Sequence, residues 1–367
     1  MRRFLVAFIV CLAITLNLAV AQAMAAKEPA KPELTLEQAI EKALSQSKSL
    51  RAASFDVDRS SEVRQFVADK VDFIPDEASG TRADSLFSGL VQADLNWQMS
   101  KRNMKAQEDT VVMQTIQSYY GLLQAMEKVN VAQAQVKNTD WQRITASVSY
   151  RVGVLGQTGL LQAGAGAEAT KAGLVAANKA LDDAYQKFNQ LVGLWPEDRP
   201  VLLDAPEMKE LEVNSLEAEV GRVLVESPVT WLAERKIDLA RVNLNLYNFA
   251  DQYRMEPYGA REIDLSKAEV SAAQVKEQME KLTRTLYYTL RQIEEQYAGA
   301  QEKVKISEEA LRVAQVKFDV GMATRAEILA AETALAQDKQ TLLDISAQHE
   351  VLSYAFSKPW AYAASGS

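Results

Sequence analysis

YYGLLQAMEKVNVAQAQVKNTDWQRITASVSYRVGVLGQTGLLQAGAGAEATKAGL (residues 119–174) and YYTLRQIEEQYAGAQEKVKISEEALRVAQVKFDVGMATRAEILAAETALAQDKQTL (residues 287–342) align without a gap at a constant offset of 168 and match at 17 of 56 positions. Tyr119-Tyr120 meets Tyr287-Tyr288, Val136-Lys137 meets Val304-Lys305, and Val152-Gly153 meets Val320-Gly321. In each copy a long helical pattern runs into a Val-Gly turn and a second helical pattern returns, so the repeating unit is an extended antiparallel helical hairpin. The chain is therefore expected to be mainly α, a duplicated pair of such hairpins with a small β segment.

Proline marks where these helices stop, since a helix interior rejects it at a cost of about 3 kcal/mol. Between Pro75 and Pro196, and between Pro257 and Pro359, the chain holds none. Those stretches contain the hairpins. Leu286, Leu290, Ile293, Tyr297, Ala300, Val304, Leu311, Ala314 and Phe318 recur at close to heptad spacing, a seam that packs against neighbouring helices along its length. Outbound helices are expected from about Lys105 to Val152 and from about Val270 to Val320, each roughly 75 Å long at 1.5 Å per residue.

The duplication continues upstream at a different offset, 180, where Leu36-Glu37 meets Leu216-Glu217, Ser47 meets Ser227 and Ala53 meets Ala233. Each copy then opens with a further helix, and the segment leading into the hairpin is 12 residues shorter in the second copy (180 less 168). In the first copy that segment holds Phe87, Val91, Ala93, Leu95, Trp97 and Met99 alternating with mostly polar neighbours. This predicts a strand long enough to matter for a membrane barrel, with a half-buried soluble strand or a misread helix start as alternatives. Tyr253 to Asp264 in the second copy shows only a turn.

At the N-terminus, Arg2 and Arg3 precede an apolar run from Phe4 to about Val20, followed by small-x-small sites at Ala21-Gln22-Ala23 and Ala23-Met24-Ala25. Residues 1–25 read as a secretory signal peptide rather than a membrane anchor. Cys11, the only cysteine, lies within that run behind Phe8-Ile9-Val10, which lacks the small residue of a lipoprotein signal. The mature chain is thus expected to carry no thiol, disulfide or acyl anchor.

A chain with 48% hydrophobic residues and few Gly and Pro suits long helices and excludes disorder. The net charge of −8 becomes −10 without Arg2 and Arg3, which argues against a nucleic-acid partner. No nucleophile and base pair, phosphate loop or metal-ligand cluster is evident, so neither catalytic residues nor cofactors are expected. His349, the only histidine, has no neighbouring Cys or His in the sequence to share a metal.

Leu34-Thr35-Leu36-Glu37-Gln38-Ala39-Ile40-Glu41-Lys42-Ala43-Leu44 opening the mature domain, Tyr119-Tyr120 in the long helix, Val320-Gly321-Met322-Ala323-Thr324 at the second turn and Leu191-Val192-Gly193-Leu194-Trp195-Pro196 closing the first copy resemble the TolC-like outer-membrane efflux proteins. The resemblance covers essentially the whole mature chain. It implies residues 26–195 as a first repeat, 196–214 as a connection, 215–357 as a second repeat and 358–367 as a C-terminal tail. It further implies a homotrimeric twelve-helix tube across the periplasm ending in the outer membrane, serving efflux or type I secretion with a periplasmic adaptor and an inner-membrane transporter.

On that resemblance the adaptor would meet the two turns, Val152, Gly153, Val154 and Leu155 in the first and Val320, Gly321, Met322, Ala323 and Thr324 in the second. Glu327 falls on a pore-facing acidic position, while Ala330 stands where a second acidic residue would be. Phe87, Val91, Leu95 and Trp97 would lie on the membrane strand. The family devotes long strand pairs in both copies to its barrel, and this chain offers strand pattern in one. An alternative therefore stays open, a non-conducting periplasmic coiled-coil scaffold or docking protein of the same architecture. Gly159, Ala163, Gly164, Ala165, Gly166 and Ala167 on the returning helix suit either close approach where the tube narrows or tight packing of one hairpin.

Overall fold

The computed structural model describes residues 29–71, 81–245, 247 and 256–365. The predicted signal peptide lies outside them. A strand β1 (Glu33–Leu34) leads into α1 (Leu36–Gln46) and α2 (Lys48–Ala68), then into the long α3 (Thr81–Arg151) and its return α4 (Gln157–Val192). β2 (Val201–Leu202) follows in the connecting segment, then α5 (Leu216–Glu226), α6 (Pro228–Asn245), the long α7 (Tyr258–Asp319), its return α8 (Arg325–Ser357) and a short α9 (Pro359–Ser365).

Both offsets read from the sequence recur as helix boundaries. The starts of α1 and α5 and of α2 and α6 differ by 180, and the end of α3 and the start of α4 differ from those of α7 and α8 by 168. Each opening helix begins at a hydroxyl cap that satisfies an otherwise orphan backbone N–H. Thr35 caps α1 in a capping box with Gln38, and Ser215 accepts from the Ala218 N–H. Ser47 and Ser227 cap α2 and α6. β1 and β2 pair in parallel, Glu33 with Val201 and Leu34 with Leu202, which ties the start of the first copy to the connecting segment.

The core is likewise built twice. Tyr119 packs edge-on against Phe188 at 6.0 Å in the first copy, and Tyr287 leans on Phe356 at 6.1 Å in the second, again 168 residues on. Tyr119 is fully buried, donates to the Leu34 carbonyl and accepts from the Asp204 N–H, pinning β1 and the connection behind β2 to α3. In the half nearer the turns, α4 lies on α3, α3 on α8 and α8 on α7, a row of four. In the other half the row is α2, α3, α6 and α7.

The expected strand is not there. Phe87 to Met99, including Val91, Leu95 and Trp97, is part of α3. Phe87, Val91, Leu95 and Met99 are spaced by four as well as by two, so the same string also forms one helical stripe. Helix won because α2 supplies a partner: the Arg64 guanidinium pairs with Asp94 at 2.5 Å and lies over the Trp97 ring at 5.1 Å. Consequently α3 runs for 71 residues and α7 for 62, about 107 and 93 Å, longer than the expected helices. Among the described residues α2 is three residues longer than α6 and α3 nine longer than α7.

The end of the chain also differs from expectation. Pro359 begins α9 rather than a loose tail, since proline suits the first helical position. Pro359, Trp360 and Ala361 are buried, and the Trp360 Nε1–H donates to the carboxylate of Asp109 at 2.9 Å.

Candidate functional site

The candidate site is the pair of hairpin turns, where both copies use one backbone device. Gly153 has φ of 79° and Gly321 of 76°, conformations that a Cβ resists. In the first turn the Gly153 N–H donates to the Tyr150 carbonyl and the Val154 N–H to that of Ser149. Gly321 to Phe318 and Met322 to Lys317 repeat the pattern in the second. This Schellman arrangement closes the last helical carbonyls and reverses the chain in a few residues.

The predicted turn residues occupy these connections, Val152 to Leu155 between α3 and α4 and Val320 to Thr324 between α7 and α8. Val152, Val154, Val320 and Met322 are exposed, Val154 to 82%. Apolar side chains at both tips, each on a fixed backbone, make a surface that gains by being covered.

The two returning helices start differently. Thr324 caps α8, and its N3 partner is Glu327, whose carboxylate accepts from the Thr324 N–H at 3.3 Å. The predicted pore residue thus also closes a capping box, a role legible in Thr324-Arg325-Ala326-Glu327 that the sequence analysis passed over. α4 starts at Gly156 with no side-chain cap. There Leu155 folds over Gly159 so closely that a Cβ would meet its Cδ1 at 2.5 Å. Gly164, Gly166 and Gly173 have open space where a Cβ would stand, so they are not used for tight packing within their own hairpin.

Behind the turns a polar clasp spans each hairpin at equivalent positions. Thr139 meets Thr170 at 2.6 Å, and Lys171 meets Asp140 at 3.3 Å. In the second copy Ser307 meets Asp338, and Lys339 meets Glu308 at 3.0 Å. The Thr333 hydroxyl reaches the Ala134 carbonyl at 3.3 Å, joining the second hairpin to the first.

Among the described residues no group of three His, Cys, Asp or Glu is placed to hold a metal ion, and no helix is long and apolar enough to cross a membrane. No family model matches the sequence, and no curated protein does. Solved structures do match. The outer-membrane channel OprN superposes with a TM-score of 0.65 at 14% identity, over 89% of this chain and 90% of that one. The Campylobacter jejuni CmeC outer-membrane channel gives 0.62 at 12% identity over 90% and 86%. The open state of the Neisseria gonorrhoeae MtrE outer-membrane channel gives 0.61 at 15% over 89% and 88%. Duplicated hairpins, paired Schellman turns and superposition over nine-tenths of the chain together show that it has the fold of the TolC-like outer-membrane channels.

Proposed function

We propose that the protein is the helical duct component of a tripartite efflux or type I secretion system. On this reading it is a homotrimer whose exposed turns dock on a periplasmic adaptor, which in turn joins an inner-membrane transporter. Its outer end lies at the outer membrane. The observation that carries this reading is the row α4, α3, α8, α7. The row has two flanks, and its inner junction of α3 with α8 is repeated by the duplication as α7 with α4 of the next copy.

The exposed apolar residues fit that repetition. Arg102 lies over Trp231 at 5.3 Å where α3 meets α6. The equivalents, at offsets of 168 and 180, are Val270 on α7 and Arg51 on α2, beside the exposed Phe55. Val270 and Phe55 are both 59% exposed, whereas Trp231 is half-buried within one copy, so a second copy would cover them in the same way. Three copies closing in this way form a tube that conducts without catalytic residues. Three Glu327 side chains then stand around its narrow end as an anionic ring.

One observation favours a second reading, a non-conducting periplasmic scaffold or docking protein. The stretch read as a membrane strand, Phe87 to Met99, is helix within α3.

Planar-bilayer recording of the full chain, alongside fractionation of the producing cell, separates the two. Discrete conductance that becomes less cation-selective in Glu327→Ala supports the duct and the ring. No conductance, with recovery in the soluble periplasmic fraction, removes the duct and leaves the scaffold.

A further inference from the structure

His349, on α8, is 2% exposed, and among the described residues neither of its ring nitrogens has a hydrogen-bond partner. Its Nε2 stands 3.5 Å from Oε1 of Glu294 on α7, close but not aligned as a hydrogen bond. Buried polar groups are ordinarily satisfied, so an imidazole kept idle beside a carboxylate calls for a reason.

Glu294 is already occupied. Its Oε1 accepts the Leu211 N–H at 2.7 Å and its Oε2 accepts from Arg291 at 2.8 Å, while Arg291 also donates to the Leu211 carbonyl at 2.8 Å. One ion pair on α7 thus holds both backbone groups of a single residue. Leu211 belongs to the strap of residues 203–214 between β2 and α5. The strap's other end is held by the Tyr119 hydroxyl, which accepts the Asp204 N–H at 3.0 Å, and by Asp204, which accepts the Leu36 N–H at 2.7 Å. It therefore ties α3 to α7, the outbound helices of the two hairpins.

We propose that His349 is a pH-operated release for this strap: protonated, it claims the Glu294 carboxylate and loosens its hold on Leu211. A neutral imidazole offers at most one N–H and no charge, and leaves Glu294 to the strap. An imidazolium carries a hydrogen on both nitrogens and forms an ion pair in which donor and acceptor are both charged, stronger than the bond between the uncharged Leu211 N–H and the same carboxylate. The carboxylate moves toward α8, and the strap loses its fixed acceptor.

The surrounding groups fit this sequence of events. His349 faces Glu294, the partner of Arg291 on α7, and has Glu350 beside it on α8, which in turn faces Glu207 and Lys209 of the strap and Tyr120 of α3. Burial pushes the Glu294 carboxyl up, but the Leu211 N–H and Arg291, with His349 adding least, outweigh it and hold the group below the usual carboxylate range. Glu294 is therefore the anion that a protonated imidazole at this place would meet. Glu350, held above that range chiefly by burial, is the other group that can respond to mild acid.

Hydrogen exchange of the full chain from pH 8 to pH 5, corrected for intrinsic rates, reads the Leu211 amide directly. Protection is expected to fall about tenfold, the scale of one hydrogen bond. The fall should track the titration of the imidazole, which as the only histidine gives a single NMR signal to follow. It should vanish in His349→Gln and in His349→Leu and persist in Glu350→Gln. Unchanged protection in the native chain, a midpoint away from that of the imidazole, or a response kept in His349→Gln but lost in Glu350→Gln would overturn the proposal.

Discussion

Ser307 on α7 faces the carboxylate of Asp338 on α8 where, 168 residues earlier, Thr139 faces Thr170. One clasp has thus been kept in two chemistries, hydroxyl to carboxylate in the second hairpin and hydroxyl to hydroxyl in the first. Hydrogen bonds to charged groups are worth about 1.5–3 kcal/mol and neutral ones about 1 kcal/mol. Asp338→Ala should therefore destabilise more than Thr170→Ala. Denaturant unfolding of the two single variants, with Ser307→Ala completing a double-mutant cycle, measures the difference. Equal costs would show that the charge adds nothing.

Asp109 is the buried anchor of the C-terminal helix. It pairs with Lys358 and accepts from Trp360, and the Tyr354 hydroxyl reaches its carbonyl at 3.5 Å. Removing one partner of a buried pair leaves the other charge uncompensated, at about 3–5 kcal/mol. Asp109→Ala should lower the melting temperature markedly and expose Trp360, seen as a red shift in its fluorescence. Lys358→Met takes one partner from Asp109 but leaves it Trp360 and, at 3.9 Å, Lys105, so it should cost less.

Gly153 and Gly321 should respond alike to substitution. At neither would a Cβ meet an atom within 4 Å, so the cost of Gly→Ala is backbone strain alone, about 1–2 kcal/mol. Gly→Asn should recover part of it, since Asn tolerates the left-handed region. Amide exchange at Val154 and Met322 in the two variants reports the loss, and an unequal response would mean that the turns are not equivalent.

Glu350 gives a pH dependence of definite sign. Burial chiefly, with Glu207 adding, holds its folded pKa above the unfolded value, against the opposing pull of His349 and Lys209. The folded state then binds the proton more tightly, so this group's contribution is fully present below the unfolded pKa and is lost as pH rises through the folded one. At neutral pH the ionised carboxylate opposes folding. Glu350→Gln should raise the melting temperature at pH 7 and leave it unchanged at about pH 3.5, below the ordinary Glu value of about 4.3. A variant less stable at pH 7 would contradict this.

The duplication was legible because a fold built twice writes its periods twice. Val152-Gly153 and Val320-Gly321 located both reversals, and the offset of 180 located α1 and α5. Phe87 to Met99 was misread because alternation at two also satisfies spacing at four, and only the partner on α2 decides between them. Pro359 was misread because proline starts helices as well as ending them, and the choice turns on Asp109, 250 residues away. The hold of Arg291 and Glu294 on Leu211 could not be seen either. It is made to backbone atoms, which leave no mark in the sequence at position 211. Glu327 was noticed for its charge, while its capping spacing went unread.

The central claim is that the flank of α7 is covered by α4 of another copy of this chain. Thr333 meets Ala134 inside one copy, so the duplication places Ala165 on α4 against Glu302 on α7 between copies (333 − 168 and 134 + 168). Both positions are exposed in the single chain, and the only native cysteine, Cys11, lies in the predicted signal peptide. Mild oxidation of the Ala165→Cys, Glu302→Cys double variant should give disulfide-linked dimers and trimers on a non-reducing gel, with neither single variant doing so. A double variant that runs only as monomer would contradict the ring.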